Sequence, residues 1–226
     1  MGFIGSYLYK DIDAIGLDKK EGNNILNCDL PDADIVIHLA AEASVLESIK
    51  NPFNNAFTNI LGTIRLAQRY KNARFIFAST GGAIQETIES PYGLSKFCAE
   101  EYIKMMCKDY VILRFPNVYG NGSRSVVDKF LNQDKNTIYG TGKAMRTYCH
   151  VDDIVDAICL AFRWPKGLYK LGTDQNYNVL QIAEAVGKDV EFIDKIEGEL
   201  DFSHLDNTSL GWNSKIDLMD YILENK

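Results

Sequence analysis

The chain has 226 residues, of which 46% are hydrophobic and 24% charged, with a net charge of −7 and a pI near 5.0. That fits one α/β domain with a sizeable core and a small C-terminal lobe, and it excludes a disordered chain. The acidic balance argues against nucleic acid or an anionic membrane as partner, and the longest apolar run, Ile35 to Ala41, is strand-sized rather than membrane-spanning.

Gly2-Phe-Ile-Gly5 followed by Ser6-Tyr-Leu-Tyr-Lys10 reads as a glycine-rich turn opening a short helix. Backbone N–H groups at such a helix start suit a pyrophosphate. The same residues fit a loose N-myristoylation pattern, which the turn explains better. Ala14-Ile-Gly-Leu-Asp18 reads as a strand ending in a carboxylate. An acid there can accept hydrogen bonds from both hydroxyls of an adenosine ribose and repels a 2′-phosphate, so it favours NAD over NADP. An ordinary turn aspartate is the alternative, and Lys19 and Lys20 keep NADP open. Asn24 to Cys28 reads as a second strand, ended by Asp29-Leu30. Asp34 to Leu39 reads as a third, ended by Ala40 and Ala41, whose small side chains leave room for a ligand. His38 inside it is expected as a hydrogen-bonded core residue.

Phe53, Phe57, Ile60, Leu61, Ile64 and Leu66 give Pro52 to Tyr70 a helical period. Arg74 to Ser79 reads as a short buried strand, with Thr80-Gly81-Gly82 at its C-terminal end. A hydroxyl followed by glycines at a strand end is where an open α/β sheet places a site. Ser90-Pro-Tyr-Gly-Leu-Ser-Lys96 then opens a helix reaching about Cys107. Tyr92 and Lys96 share one face of it. An ammonium beside a phenol lowers the phenol's pKa, and such a phenol can serve as general base and then general acid. Tyr and Lys at this spacing also occur on solvated helices; the preceding threonine turn is what favours a site. Tyr110 to Phe115 is another strand and Pro116 to Gly120 a loop.

Strand and helix alternate throughout, which argues for a doubly wound parallel sheet over residues 1–120. After Gly120 the pattern becomes mixed. Helices are expected at Ser125–Gln133, Val151–Phe162, Val179–Val186 and near Lys215–Leu223. Extended pieces are expected at Thr137–Gly142, Arg146–His150, Gly167–Leu171 and Val190–Ile193. Residues 121–226 thus read mainly as a substrate lobe, with parts returning to the main sheet. Five cysteines, widely spread and without a C-x-x-C pair, read as reduced core residues of a cytoplasmic protein. The three histidines stand singly, with no metal-ligand spacing.

These pieces together carry a resemblance: Gly2-Phe-Ile-Gly-Ser6, Leu17-Asp18, His38-Leu-Ala-Ala41, Asn59-Ile-Leu-Gly-Thr63, Ser79-Thr-Gly-Gly-Ala83, Ser90 to Lys96, Leu113 to Gly120, Ile138-Tyr-Gly-Thr-Gly142, Arg146 and Val151-Asp-Asp153. In this order the chain resembles the extended short-chain dehydrogenase/reductases of the NAD-dependent nucleotide-sugar epimerase/dehydratase type, most of all the UDP-glucose 4-epimerases. The resemblance implies a Rossmann-like sheet, NAD as cofactor and a nucleotide sugar, a UDP-sugar first, as substrate. It places Gly2, Phe3 and Ile4 against the pyrophosphate, Asp18 at the adenosine ribose, and Asp29 and Leu30 around the adenine. Leu39, Ala40 and Ala41 would line the phosphate and ribose path, Lys96 would bond the nicotinamide ribose, and Phe115 would lie near the nicotinamide. It makes Tyr92 the acid/base, Thr80 its partner at the sugar hydroxyl, and Asn117 and Arg146 the diphosphate ligands. It also implies a homodimer through the helices at Pro52–Tyr70 and Pro91–Cys107.

Relatives that form 4-keto-6-deoxy sugars place an acidic pair directly after the threonine. Gly81 and Gly82 stand there, which favours epimerisation over 4,6-dehydration; Glu86 and Glu89 are the nearby acids. A reductase of the same family, a dehydrogenase of a small substrate and a non-catalytic NAD-binding relative are the other readings. Three departures from the family pattern carry expectations. The chain starts inside the glycine-rich turn, without the first strand, which normally lies between those ending at Asp18 and Leu39. The sheet is therefore expected to open or to draw those two strands together, in a minimised enzyme or one whose start was miscalled. Gln85-Glu86 replaces a Tyr-Gly pair. Ile196-Glu197-Gly198-Glu199 lacks an arginine that helps hold diphosphate, with Lys195 as a substitute.

Overall fold

The computed structural model describes residues 1–84, 88–194 and 202–226. In chain order the first half comprises α1 (Phe3–Asp11), β1 (Ile35–His38), α2 (Val45–Lys50), α3 (Pro52–Ala56), a π-helical turn (Phe57–Leu61), α4 (Gly62–Arg69), β2 (Arg74–Thr80), α5 (Pro91–Met106) and β3 (Asp109–Phe115). Next come β4 (Asn117–Tyr119), α6 (Val126–Asn132), β5 (Asn136–Tyr139), β6 (Met145–His150), α7 (Val151–Leu160) and β7 (Gly167–Lys170). The last elements are β8 (Asn176–Asn178), α8 (Val179–Val186), β9 (Val190–Ile193), β10 (Phe202–Ser203) and α9 (Leu218–Asn225).

The main sheet is parallel, in the order β1-β2-β3-β7. Side chains along β2 and β3 alternate between two cores, as a pleat requires. Phe75, Phe77 and Ile112 meet Leu66 and Ala67 of α4 and Ala99 and Ile103 of α5 on one face. Ile76, Val111, Leu113 and Phe115 meet Leu8 of α1 and Ile154, Val155 and Ile158 of α7 on the other. Helices thus cover both faces, and strands buried on both sides read as nearly unbroken apolar runs. Fully burying each such Phe, Leu or Ile contributes about 1.5–3 kcal/mol.

The C-terminal half adds a sheet in the order β10-β6-β4, with β8 antiparallel on β6, and a parallel pair of β5 and β9. Tyr119, Phe130, Tyr148, Ile182, Leu218 and Ile222 form its core. α8 starts in a capping box between Asn178 and Gln181 and stops at Gly187, whose φ of 75° suits a residue without Cβ. Among the described residues no helix is long and apolar enough to cross a membrane.

Several expectations are corrected. Residues 14–18 run extended but join no ladder. A strand exists only through its partner, and β1 pairs only with β2 among the described strands. The sheet therefore stops at β1, and the two segments are not drawn together. Asn24 to Cys28 is a turn: the Asn24 side chain accepts from Leu26 N at 3.0 Å, and its carbonyl accepts from Asn27 N and Cys28 N. An Asx turn of this kind competes with extended structure. Arg65 fixes it by donating to the carbonyls of Ile25 and Cys28, at 2.7 Å each. The loop at 116–120 contains β4, because β6 supplies a partner. The last helix starts at Leu218 behind the Asp217 cap. α2, β8 and β10 are additions to the sequence reading, and the expected helix over Pro52–Tyr70 is interrupted by the π-helical turn at Phe57–Leu61. Gln85, Glu86 and the stretch from Lys195 to Glu199 lie outside the described residues.

Candidate active site

Thr80 is the last residue of β2 and lies opposite Phe115, the last of β3. α5 is brought against them by its first turn. Ser90 caps that turn, its Oγ accepting from Gly93 N at 3.1 Å, and Pro91 occupies the first helical position. Gly93 permits the close approach, since a Cβ there would lie 2.6 Å from the Gly82 carbonyl oxygen. Tyr92 N donates to Ser48 Oγ of α2 at 3.1 Å, which fixes the tyrosine from behind. The outcome sets the Tyr92 phenol near enough to Thr80 for that side chain to act on it, and Thr80 Oγ1 accepts from Gly82 N at 3.3 Å.

Burial governs the charges. It pushes the Tyr92 phenol up to about 12, against the nearby Thr80 side chain, which pulls the other way. It pushes the Lys96 ammonium down to about 7, with Glu100 opposing. Burial, more than the neighbouring lysine, therefore sets the phenol, contrary to the sequence reading. Lys96 is 3% exposed, its Nζ 4.0 Å from the centre of the Phe77 ring. His38 is buried on Thr63, with Nε2 to Oγ1 at 2.9 Å, and is held neutral, its pKa pushed down to about 3 by burial and then by Lys96.

Gly2 precedes α1 in extended backbone, no side chain caps that helix, and open space surrounds the position of a Gly2 Cβ. Phe3 and Ile4 form the first turn, and Ile4 anchors it on the core. Leu39 Cδ1 lies 3.8 Å from where Gly5 would carry a Cβ, so the segment of Leu39, Ala40 and Ala41 runs beside α1. Asp18 accepts from Lys20 N at 2.8 Å and lies 3.7 Å from the Met1 ammonium. Lys19 is paired with Glu42 at 2.5 Å. Leu30 packs on the core beside α4, whereas Asp29 is exposed.

At the other end, Asn117 and Arg146 sit on the adjacent strands β4 and β6. Asn117 Nδ2 donates to the Thr147 carbonyl at 3.2 Å, and Arg146 Nη1 to that of Met145 at 2.9 Å. Leu205 joins this lobe to the catalytic turn. Its N–H donates to Thr147 Oγ1 at 3.1 Å, and its buried side chain packs on Gly81, 3.5 Å from the position of a Cβ.

The family model described as the NAD dependent epimerase/dehydratase family matches residues 1–179. The chain belongs to that family. It is 32% identical to a putative UDP-glucose 4-epimerase of Methanocaldococcus jannaschii, across 98% of this chain and 93% of the relative. That matched span is 284 residues, longer than this chain, so the relative carries extra residues within it. A dTDP-D-glucose 4,6-dehydratase of Dictyostelium discoideum is 31% identical across 82% of this chain and 59% of its own length. Among solved structures, the UDP-glucose 4-epimerase of Thermotoga maritima with UDP-glucose is 31% identical. It aligns with a TM-score of 0.75, covering 85% of this chain and 75% of that one.

NAD is the cofactor of this family, and the residues present fit it. Lys96 is 3% exposed on the same helix face as Tyr92, with its Nζ over the Phe77 ring, where it suits a ribose hydroxyl. The uncapped start of α1 behind the open Gly2 suits a pyrophosphate. With Lys19 engaged by Glu42 and a carboxylate at Asp18, the adenosine end suits a plain ribose better than a 2′-phosphate.

Sequence reasoning missed the supports of this epimerase/dehydratase site. Asn59, carried by the π-helical turn, holds both backbone groups of Glu42, at 2.9 and 3.1 Å, and Ser95 Oγ at 2.9 Å. Asn55 adds a bond to the Glu42 carbonyl at 2.9 Å. Glu100 and Arg114 form a buried ion pair one helical turn beyond Lys96. The spacing of Glu100, four after Lys96, was a readable signal; nothing in the sequence marked Ser48 or Leu205.

Proposed function

We propose that the chain is an NAD-dependent nucleotide-sugar 4-epimerase, with a UDP-hexose as substrate. The observation that carries this reading is the close approach of the first turn of α5 to the turn after Thr80, which sets Tyr92 near Thr80 with Lys96 buried on the same helix face. Asp18 would hold the adenosine ribose, α1 the pyrophosphate and Lys96 the nicotinamide ribose, with Asp29 and Leu30 at the adenine, and Leu39, Ala40, Ala41 and Phe115 lining the path. When bound, NAD would supply the hydride acceptor for C4 of the sugar. Tyr92, as phenolate, takes the proton of the 4-hydroxyl and later gives it back. Thr80 holds that oxygen. Lys96 keeps a positive charge beside the phenolate, offsetting the burial that favours the neutral phenol. Asn117 and Arg146 would hold the substrate diphosphate, the guanidinium by forked hydrogen bonds. The transient 4-keto sugar then presents its other face before the hydride returns.

Residues 1–120 would carry the cofactor and 121–226 mainly the substrate, and the setting is cytoplasmic. Epimerisation is favoured over 4,6-dehydration because Gly81 to Ile84 supply no acid after Thr80. A homodimer through α3–α4 and α5 accords with exposed Phe53, Phe57, Leu94 and Met105 on those helices.

The test is to purify the chain, release and identify any bound NAD, and incubate the protein with UDP-glucose and UDP-galactose separately. Interconversion without net NADH release is the expected result. Bound NAD with a 4-keto-6-deoxy product would replace the epimerase by a dehydratase. NAD binding with no reaction on any nucleotide sugar would leave a binding protein.

A further inference from the structure

Glu100 lies one helical turn beyond Lys96 and two beyond Tyr92, on the same face of α5. It is 0% exposed and Arg114 is 8% exposed. Arg114 donates Nε to Glu100 Oε1 at 2.9 Å and Nη2 to Oε2 at 2.7 Å. The same Nη2 donates to the Ala83 carbonyl at 2.7 Å, and Ser79 Oγ donates to Glu100 Oε1. Ser79 and Arg114 face each other in the β2–β3 ladder and directly precede Thr80 and Phe115. Ala83 closes the short 3-10 turn after Thr80. A single ion pair therefore ties α5, β2, β3 and that turn at residues next to the reacting groups.

An ion pair this deep gains little net stability, because desolvation offsets the attraction. Its position suggests another use. Around Lys96 stand Tyr92 and Glu100 on its own helix, neutral His38 on β1, the Phe77 ring on β2, and Arg114 on β3 behind Glu100. Glu100 is the carboxylate that favours the charged lysine against burial. We propose that Glu100, held by Arg114, is a positioning residue that supports the Lys96 ammonium and so lowers the cost of forming the Tyr92 phenolate. A charged Lys96 stabilises that phenolate, whereas a neutral amine does not. The inference rests on the roles given to Tyr92 and Lys96 above.

Lysine labelled with carbon-13 at Cε lets the Lys96 titration be followed by NMR in the chain without substrate, its resonance assigned by loss in Lys96→Arg. Glu100→Gln is expected to lower the Lys96 midpoint by about one pH unit or more, while Glu100→Asp keeps it within about 0.3 unit of wild type. An unchanged midpoint in Glu100→Gln overturns the inference. Glu100→Gln leaves Arg114 unpaired; if it does not fold, the double variant Glu100→Gln/Arg114→Gln replaces it, with a drop in the same direction expected. Turnover is read separately. In Glu100→Gln, kcat should fall about tenfold or more while NAD affinity stays within about threefold. Equal loss of both marks a structural role and overturns the inference. Absence of turnover in the wild type overturns the epimerase reading, and the Lys96 midpoint still decides the role of Glu100.

Discussion

At the ends of β2 and β3, Thr80 and Phe115 are fixed by ladder bonds, and α5 is held there by Gly93 and a buried ion pair and tied to α2 by Ser48. At residues 12–30, Asp18 rests on extended backbone without a ladder, and Leu30 follows an Asx turn. Proton transfer demands placement to a fraction of an ångström, and there every backbone approach is set by a partner. Holding a ribose tolerates more, and one carboxylate at the right distance suffices. Under the proposed function the rigid region would carry the chemistry and the loosely tied region the binding.

The largest effect expected is at the rigid end. Tyr92→Phe should cut kcat by about a thousandfold and change the NAD dissociation constant by less than about threefold, measured by steady-state kinetics and calorimetry. A variant retaining full activity would remove Tyr92 from the chemistry. Gly93→Ala and Gly62→Ala then test the contrast directly. The first places a Cβ 2.6 Å from a backbone oxygen, the second 2.5 Å from the mobile end of Ile25. Urea unfolding should show a loss of about 2–3 kcal/mol for Gly93→Ala and less than about 1 kcal/mol for Gly62→Ala. Equal losses would mean that the catalytic turn yields as readily as a side chain.

His38 gives a pH test of the same core. Its folded pKa, pushed down to about 3, lies below the unfolded value of about 6.5. Its stabilisation is complete above pH 6.5 and declines as pH falls toward 3, by about 2 kcal/mol at pH 5. His38→Asn should flatten that part of the pH–stability curve, whatever its loss at neutral pH. The smallest effect is expected at the loose end. Asp18→Asn should weaken NAD binding about tenfold and leave kcat at saturating cofactor unchanged. A fall in kcat would show that the adenosine end is coupled to the catalytic corner.

Much of this division was legible in the residues. Arg74 to Ser79 and Tyr110 to Phe115 read as strands because two-sided burial makes them apolar throughout. Ser90-Pro91 announced α5 through its cap and first-turn proline. Ala14 to Asp18 misled because alternation marks a strand but cannot supply its neighbour. Asn24 to Cys28 misled because the turn-forming Asn24 side chain outweighed the apolar Ile25 and Leu26. The ion pair of Glu100 and Arg114 was half legible, the helix spacing giving Glu100 but nothing giving its partner on β3. Leu205 reaches Gly81 from more than a hundred residues away, and only the folded chain joins them.

β1 carries a consequence of its own. It pairs with β2 on one side, and among the described strands none lies on the other, where Ile35 is 44% exposed. An open strand margin is a template for another chain, and two such margins can zip together out of register. At four residues this one is short, and flanking Asp32 and Asp34 make self-pairing repulsive within a chain already carrying −7. Acidity near the margin therefore guards the protein's solubility, and neutralising those aspartates would sooner bring precipitation than inactivity.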